Sequence, residues 1–283
     1  MATIDKNVLN KAFRATTNPI RLLPDFIIIG AMRGGTTSLY SYLTDHPGIG
    51  PAYMKEIHFF DVYFNKGLDW YRAYFPSLVQ KYYAERIQRH SFITGEASPY
   101  YLFHPHAPKR IAKTIPQVKL IVLLRNPVDR AYSHYYHEVA GGHETVSFAE
   151  AIEREPERIA AEAEKLAQNK QYVSYNHRHF SYLARGIYID QLQVWMNLFP
   201  REQFLILKSE DFYADPAAGL KQTLEFMHLP SMGIKERKEE YQQLNHTKPP
   251  KMDAVMRKHL IKYFEPHNAR LYDYLGRDFG WDT

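Results

Sequence analysis

The sequence contains no cysteine in its 283 residues, so disulfides and thiolate metal sites are excluded. That absence fits a reducing compartment. Long apolar runs are missing too. The strongest, Phe26–Ile29 and Leu120–Leu124, fall far short of the ~20 residues a membrane helix needs. Met1–Arg21 has no apolar stretch of the kind a secretory signal carries. The expectation is a cytoplasmic protein with no stable membrane insertion. No repeat of fixed period and no Gly/Ser- or Pro-rich linker divides the chain. Neither sign of charge dominates: 36 Lys+Arg against 31 Asp+Glu leave a net charge of +5. This suits an anionic small ligand or a local basic cleft, and gives no reason to expect a nucleic-acid partner.

What is present is enough for a full core: 45% of residues are hydrophobic and 24% charged. Phe26–Ile29, Val118–Leu124 and Phe204–Leu207 are short, β-branched-rich apolar runs bounded by turn-formers, and read as buried strands. Helical spacing marks Thr37–Leu43, Asp129–Val139, Glu150–Lys170, Ile189–Phe199, Ala217–Met227 and Ala254–Tyr263. Strands alternating with helices imply an α/β fold with a central, mainly parallel sheet flanked by helices. We assign residues 1–23 to an N-terminal extension and 24–283 to a single domain.

The strongest local signal is Asp25-Phe26-Ile27-Ile28-Ile29-Gly30-Ala31-Met32-Arg33-Gly34-Gly35-Thr36-Thr37-Ser38. A buried strand enters a glycine-rich loop, and a helix begins at Thr36, Thr37 or Ser38. This is the context of a phosphate-binding loop: glycines turn successive N–H groups inward, and the helix N-terminus adds partial positive charge. Against the nucleotide pattern G-x-x-x-x-G-K-S/T, Gly30, Gly35 and Thr37 match. Thr36 stands where the lysine belongs, and the cation sits instead at Arg33. A loop that relocates its cation points to a different 5′-anion.

The strand Lys119–Leu124 runs into Arg125-Asn126-Pro127-Val128-Asp129-Arg130-Ala131-Tyr132-Ser133. A nucleoside-triphosphatase would end such a strand in an aspartate that helps hold Mg²⁺. Arg125 removes a metal ligand and adds a planar anion binder. Arg125 and Ser133 together are candidates to grip a second phosphate; the alternative is that Arg125 pairs with Asp129. Asp129 and Arg130 read as a helix-start acid and a surface base. Two anion sites without a metal site suit a nucleotide carrying phosphates at two separate positions.

On these residues the chain resembles the PAPS-dependent sulfotransferases, most closely the heparan-sulfate-type branch and its bacterial relatives; PAPS is 3′-phosphoadenosine 5′-phosphosulfate. The resemblance runs from about Pro24 to Asp282. It implies that Arg33, Gly34, Gly35, Thr36, Thr37 and Ser38 form the 5′-phosphosulfate loop. It also implies that Arg125 and Ser133 hold the 3′-phosphate. Lys55-Glu56-Ile57-His58-Phe59-Phe60-Asp61 is similar to the segment bearing the family's catalytic glutamate, which makes Glu56 the base. From the residues alone, Glu56 reads equally as a surface partner of Lys55. His58, placed on the same side by an extended segment, is an alternative base, an acceptor-orienting group or a packed polar ring. Lys248 and Lys251 fall where relatives close a loop over the nucleotide, and read equally as a solvated basic loop. PAPS as co-substrate, 3′,5′-ADP as product and a small-molecule or glycan acceptor follow from the resemblance, with no metal.

Two positions depart from the family pattern. Arg33 replaces a usual lysine, which limits it to electrostatic work. Ala97 stands where glycosaminoglycan enzymes often place a lysine, which puts a heparan-like acceptor in doubt. None of the 14 histidines has a convincing metal spacing. His104, His106, His134 and His137 read as structural or acceptor-side. The aromatic, polar segment Gln171–Tyr188 suits an acceptor-binding wall. Two other functions remain open: a P-loop kinase or NTPase, and a non-catalytic module that binds PAPS or 3′,5′-ADP.

Overall fold

The computed structural model describes residues 13–231 and 249–281. Five strands form one wholly parallel sheet. They are β1 (Phe26–Gly30), β2 (Ile49–Pro51), β3 (Ile93–Ala97), β4 (Lys119–Leu124) and β5 (Phe204–Lys208). Their order is β2-β3-β1-β4-β5, so β1 is central. Ile27 lies beside Glu96 of β3 on one side and Leu120 of β4 on the other. The longer helices are α1 (Thr36–Thr44), α2 (Ala107–Thr114), α3 (Pro127–Ala140), α4 (Phe148–Gln168), α5 (Tyr188–Met196), α6 (Pro216–Phe226) and α7 (Ala254–Leu275).

The apolar runs are continuous because the sheet is covered on both faces. Alternate residues feed two different cores. Ile27, Ile29, Leu120, Val122, Leu124 and Ile206 pack with the aromatic cluster of Phe59, Phe60, Tyr71 and Trp195. Their neighbours Phe26, Ile28, Ile121, Leu123, Leu205 and Leu207 pack against Leu39, Leu43, Leu220 and Leu224. A third cluster joins α3, α4 and α7 through Val128, Ala131, Phe148, Ile152, Leu260 and Phe264.

Caps place the helices. Asn126 accepts from Val128 N–H at 3.0 Å, and Pro127 opens α3 where a missing N–H costs nothing. Ser147 caps α4, whose first residue, Phe148, lies two residues ahead of the expected Glu150. Asp253 starts α7, which continues past Pro266 to a left-handed Gly276, well beyond the expected end at Tyr263.

Other differences are informative. β2 and β3 had no apolar run to betray them: β3 reads Ile93-Thr94-Gly95-Glu96-Ala97, with a carboxylate buried in the sheet. Arg130 is not a surface base; it is fully buried on the inner face of α3 and donates to the Tyr182 carbonyl. Asp129 pairs with Arg257 of α7 at 2.7 Å, which leaves Arg125 to other work. Residues 13–23 dock onto the segment before Ser77: Arg14 donates to the carbonyls of Ala73 and Phe75, and Arg21 also to Phe75.

Leu123 is fully buried between β1, β5 and the helices behind them. Leu123→Ala should cost about 2–5 kcal/mol in urea unfolding, through lost transfer energy and a cavity. A loss under about 1 kcal/mol would mean that this face is not close-packed.

Candidate active site

The site lies at the C-terminal edge of the sheet, where the chain leaves β1 and β4 on its way to opposite flanks. Crevices of this kind hold ligands in open parallel sheets. The cleft has a volume of about 370 Å³.

The loop after β1 is pinned from below. Ala31 N–H donates to the Leu123 carbonyl at 2.9 Å, and Ser209 Oγ to the Gly34 carbonyl at 2.8 Å. Gly34 has no room for a side chain: a Cβ there would lie 2.5 Å from the Leu123 carbonyl oxygen. Gly35 has φ +101 and hands the chain to α1. Thr36 and Thr37 therefore open a helix N-terminus that faces the cleft. Ser38 is buried beneath this first turn and, like Gly34, is not part of the cleft wall.

Arg33 joins the two expected anion sites. Its Nε donates to Ser133 Oγ at 3.0 Å, and its own carbonyl accepts from Arg125 Nη1 at 3.1 Å. Burial, then the neighbouring Arg125, pull the Arg33 pKa down from its ordinary value. Arg125 is held by its carbonyl, which accepts from Tyr188 Oη at 2.8 Å. Arg33, Arg125 and Ser133 thus meet at one end of the cleft. Lys251 is exposed on the approach to α7 and does not line it; Lys248 lies outside the described residues.

Glu56 and His58 line the same cleft, and Glu56 acts on the charge of Arg33. Both adopt left-handed φ, +59 and +54, so the segment is not extended as expected. Such a conformation costs about 1–3 kcal/mol per residue and needs surrounding support. The two side chains still converge. His58 Nε2 lies 3.5 Å from Glu56 Oε2, and His58 Nδ1 is 2.7 Å from Asp61 Oδ2. Lys55 Nζ is 2.5 Å from Glu56 Oε1. Burial would raise the pKa of Glu56, yet His58 and Lys55 outweigh it and hold it at about 2. Burial would lower that of His58, yet Asp61 and Glu56 hold it at about 9. Glu56 thus pairs with Lys55, as one of its two readings expects, and also lines the cleft. Asp61, buried and aimed at the imidazole, was missed; its spacing from His58 in His58-Phe59-Phe60-Asp61 was the available signal.

The third wall comes from α3 and the segment Tyr175–Arg185. Arg178, His179 and Arg185 face the cleft, with His137, Glu138 and His143. The tyrosines of this stretch do not: Tyr182 and Tyr188 are core, and Tyr172 donates to Glu162. His104 and His106 lie away from the cleft, and His106 bonds the Leu166 carbonyl. Glu138 is buried between His134, at 3.2 Å, and His179, at 2.7 Å. Burial is the largest influence on Glu138 and raises its pKa, but the two imidazoles prevail and hold it below the usual carboxylate range. Burial drives His134 itself down to about 3. Among the described residues, Glu138, His143 and His179 are the one group that could hold a metal, with ligand atoms within 4.8 Å of one another. The 2.7 Å Glu138–His179 contact is a hydrogen bond; two tetrahedral ligands on one zinc ion would sit about 3.3 Å apart. Glu138 instead fixes the ring of His179.

A sulfotransferase domain profile matches residues 23–267. The chain belongs to the sulfotransferase family. The membrane-associated sulfotransferase kil1 of Dictyostelium discoideum is 29% identical, over 92% of this chain and 67% of that protein. Heparan sulfate glucosamine 3-O-sulfotransferase 3A1 of Mus musculus is 30% identical, over 92% and 65%. The crystal structure of a sulfotransferase from Alicyclobacillus acidocaldarius matches with a TM-score of 0.69 and 29% identity, covering 93% of this chain and 100% of that one. This sulfotransferase chain spans about two thirds of the length of the curated relatives it matches. Among the described residues, no helix is long and apolar enough to cross a membrane.

The His58 geometry makes a direct prediction. Its imidazole should titrate by NMR with a midpoint near 9. Asp61→Asn should return the midpoint toward ~6.5. Because the folded pKa lies above the unfolded one, the stabilisation is full below pH ~6.5 and is lost as pH rises through about 9. A wild-type midpoint at or below ~6.5 would contradict the ion-paired arrangement.

Proposed function

We propose that this family member moves the sulfuryl group of PAPS to a hydroxyl on a polar, carbohydrate-like acceptor and releases 3′,5′-ADP. One observation carries the reading: Arg33, Thr36, Thr37, Arg125 and Ser133 line the same cleft as Glu56 and His58. Anion-binding groups and a carboxylate thus share one cleft, and Glu56 is near enough to act on the charge of Arg33, which suits an in-line displacement.

In that reaction the acceptor oxygen forms a bond to sulfur while the bond from sulfur to the bridging phosphate oxygen breaks. The leaving 3′,5′-ADP keeps the electron pair. Arg33, the threonine hydroxyls and the loop N–H groups stabilise the charge that grows on the sulfuryl and bridging oxygens. Arg33 does this as a fixed fork, since it keeps its proton. Arg125 and Ser133 hold the 3′-phosphate. Gly34, Gly35 and Ser38 belong to the same loop as its scaffold. Glu56 takes the acceptor proton. It is a better candidate than His58, which at neutral pH is already protonated between two carboxylates. His58 then serves to aim Glu56 and to balance its charge. A free carboxylate held at about 2 is a weak base; an acceptor that seals the cleft adds desolvation, the influence that raises it. The reading gives no step to a metal.

The polar wall of Arg178, Arg185, His137 and His179 favours a sugar-like acceptor over a lipid or polyketide-like alcohol. Ala97 is buried in a core cluster and offers that acceptor nothing. Membership of the sulfotransferase family weighs against a kinase or NTPase. A cytoplasmic location is part of the same proposal. Fractionating cells that express the native gene checks it, and recovery with membranes or medium overturns it.

Calorimetry tests the donor. 3′,5′-ADP should bind at least ~10-fold tighter than ADP or ATP, a gap of about 1.4 kcal/mol, whether or not Mg²⁺ is present. Preference for Mg·ATP would overturn the proposal. Glu56→Gln should lower transfer by about 10²–10⁴-fold while 3′,5′-ADP binding stays within a few-fold. Unchanged transfer would remove Glu56 from the chemistry. A wild-type protein that binds 3′,5′-ADP and transfers nothing to any hydroxyl would favour a binding module.

A further inference from the structure

Behind the candidate base lies a buried carboxylate that the proposed chemistry does not use. Glu96 sits in β3 beside the central strand, without exposed surface. Its Oε1 accepts from Tyr71 Oη at 2.5 Å and from Tyr101 Oη at 3.1 Å; its Oε2 accepts from Ser98 Oγ at 2.7 Å. Two of these hydroxyls reach on to the Glu56–Asp61 loop. Phe59 N–H and Phe60 N–H donate to Tyr101 Oη at 2.9 and 3.3 Å, and His58 N–H donates to Ser98 Oγ at 3.3 Å. Glu56 N–H, one strand residue away, donates to the Ala97 carbonyl at 3.1 Å.

The bonds all run in one direction, and the carboxylate sets it. Ionised Glu96 can only accept, so Ser98 and Tyr101 give it their protons and turn their lone pairs to the loop. A protonated or amide side chain here would carry a donor of its own. That donor would compete for the same hydroxyl oxygens and leave a hydroxyl proton without an acceptor. The loop it would release is the one with two left-handed residues, Glu56 and His58.

We propose that Glu96 is a positioning residue for Glu56 and His58, acting through Ser98 and Tyr101, and that its ionisation decides whether the loop is held. The role in transfer rests on the sulfotransferase reading of the cleft; the hold on the loop does not. Burial pushes the pKa of Glu96 up to about 7, against the three hydroxyl donors that pull it down. The titratable groups facing it are Tyr71 from the short helix Leu68–Arg72, Tyr101 from the turn after β3, Tyr40 from α1 and Asp61 from the loop itself. Asp61 adds to the upward push. Deprotonation therefore falls in a range where assays are run.

The test follows amide hydrogen exchange at His58, Phe59 and Phe60 between about pH 5.5 and 8.5, corrected for intrinsic rates. Protection should rise by about tenfold or more through the titration of Glu96. In Glu96→Gln it should stay at the low level throughout. Tyr71→Phe removes a donor to the carboxylate and keeps the ring that packs on Phe59 and Phe60, so the midpoint should move up by about half a pH unit or more. It also serves if Glu96→Gln fails to fold. With PAPS and an acceptor, kcat should track the same midpoint while 3′,5′-ADP binding does not change. Flat protection in the wild type, or full protection in Glu96→Gln, would overturn the proposal. If exchange behaves as expected and no transfer is found, the sulfotransferase chemistry fails and the clamp stands. If transfer proceeds and exchange is flat, the clamp alone fails.

Discussion

Two neighbouring arginines, each half-buried and one bonded to the other's backbone, are the constraint around which the rest of this molecule is arranged. Arg125 donates to the carbonyl of Arg33, and burial and mutual repulsion both act against the charge on Arg33. The adjoining N-terminus of α1 adds more positive potential. Nothing in that corner is arranged for its own comfort. Each group is instead fixed by a neighbour: Ser133 on Arg33, Tyr188 on the Arg125 backbone, and Ser209 and β4 under the loop. In the proposed reading, an anion bound there would offset the repulsion between these two groups. The parallel sheet supplies the rigidity, because its strands are locked from both faces by separate cores.

Glu56 and His58 follow a different logic. Charges there are paired with one another, in the chain Lys55–Glu56–His58–Asp61. The cleft thus combines two neighbouring guanidinium groups with a linked acid–base series, and Glu56 acts on Arg33 as well.

Much of this was legible in the sequence, and the reasons are specific. β1, β4 and β5 showed as apolar runs because a strand buried on both faces has no polar side to interrupt it. The anion loop showed because Gly34 and Gly35 are required by close approach and by left-handed backbone, and Arg125 because it ends a buried strand. What stayed hidden was polar and buried. β3 carries Thr94, Gly95 and Glu96, and looks like a turn until its hydrogen bonds are seen. Arg130 reads as surface by residue type, yet points inward to a carbonyl. The left-handed turns at Glu56 and His58 have no glycine to announce them; they are imposed by contacts from residues forty positions away. Glu138 was overlooked because it acts on His179, adjacent only in space, and on His134 one helical turn back. Asp61 was overlooked although it lies only three residues after His58, because a left-handed turn and not a helix brings them together.

Helix α3 lines the cleft with more than one residue. Ser133 bonds Arg33, and His137, one turn later, lines the same cleft. The spacing is about 6 Å along a rigid axis. In the proposed reading, donor and acceptor subsites are therefore not separate modules: any change that slides or rotates this helix alters both together. The Tyr175–Arg185 segment carries Arg178, His179 and Arg185 to the same wall from a short helix and loop. On the same reading, a designed library aimed at the acceptor has freedom in that segment that α3 denies it.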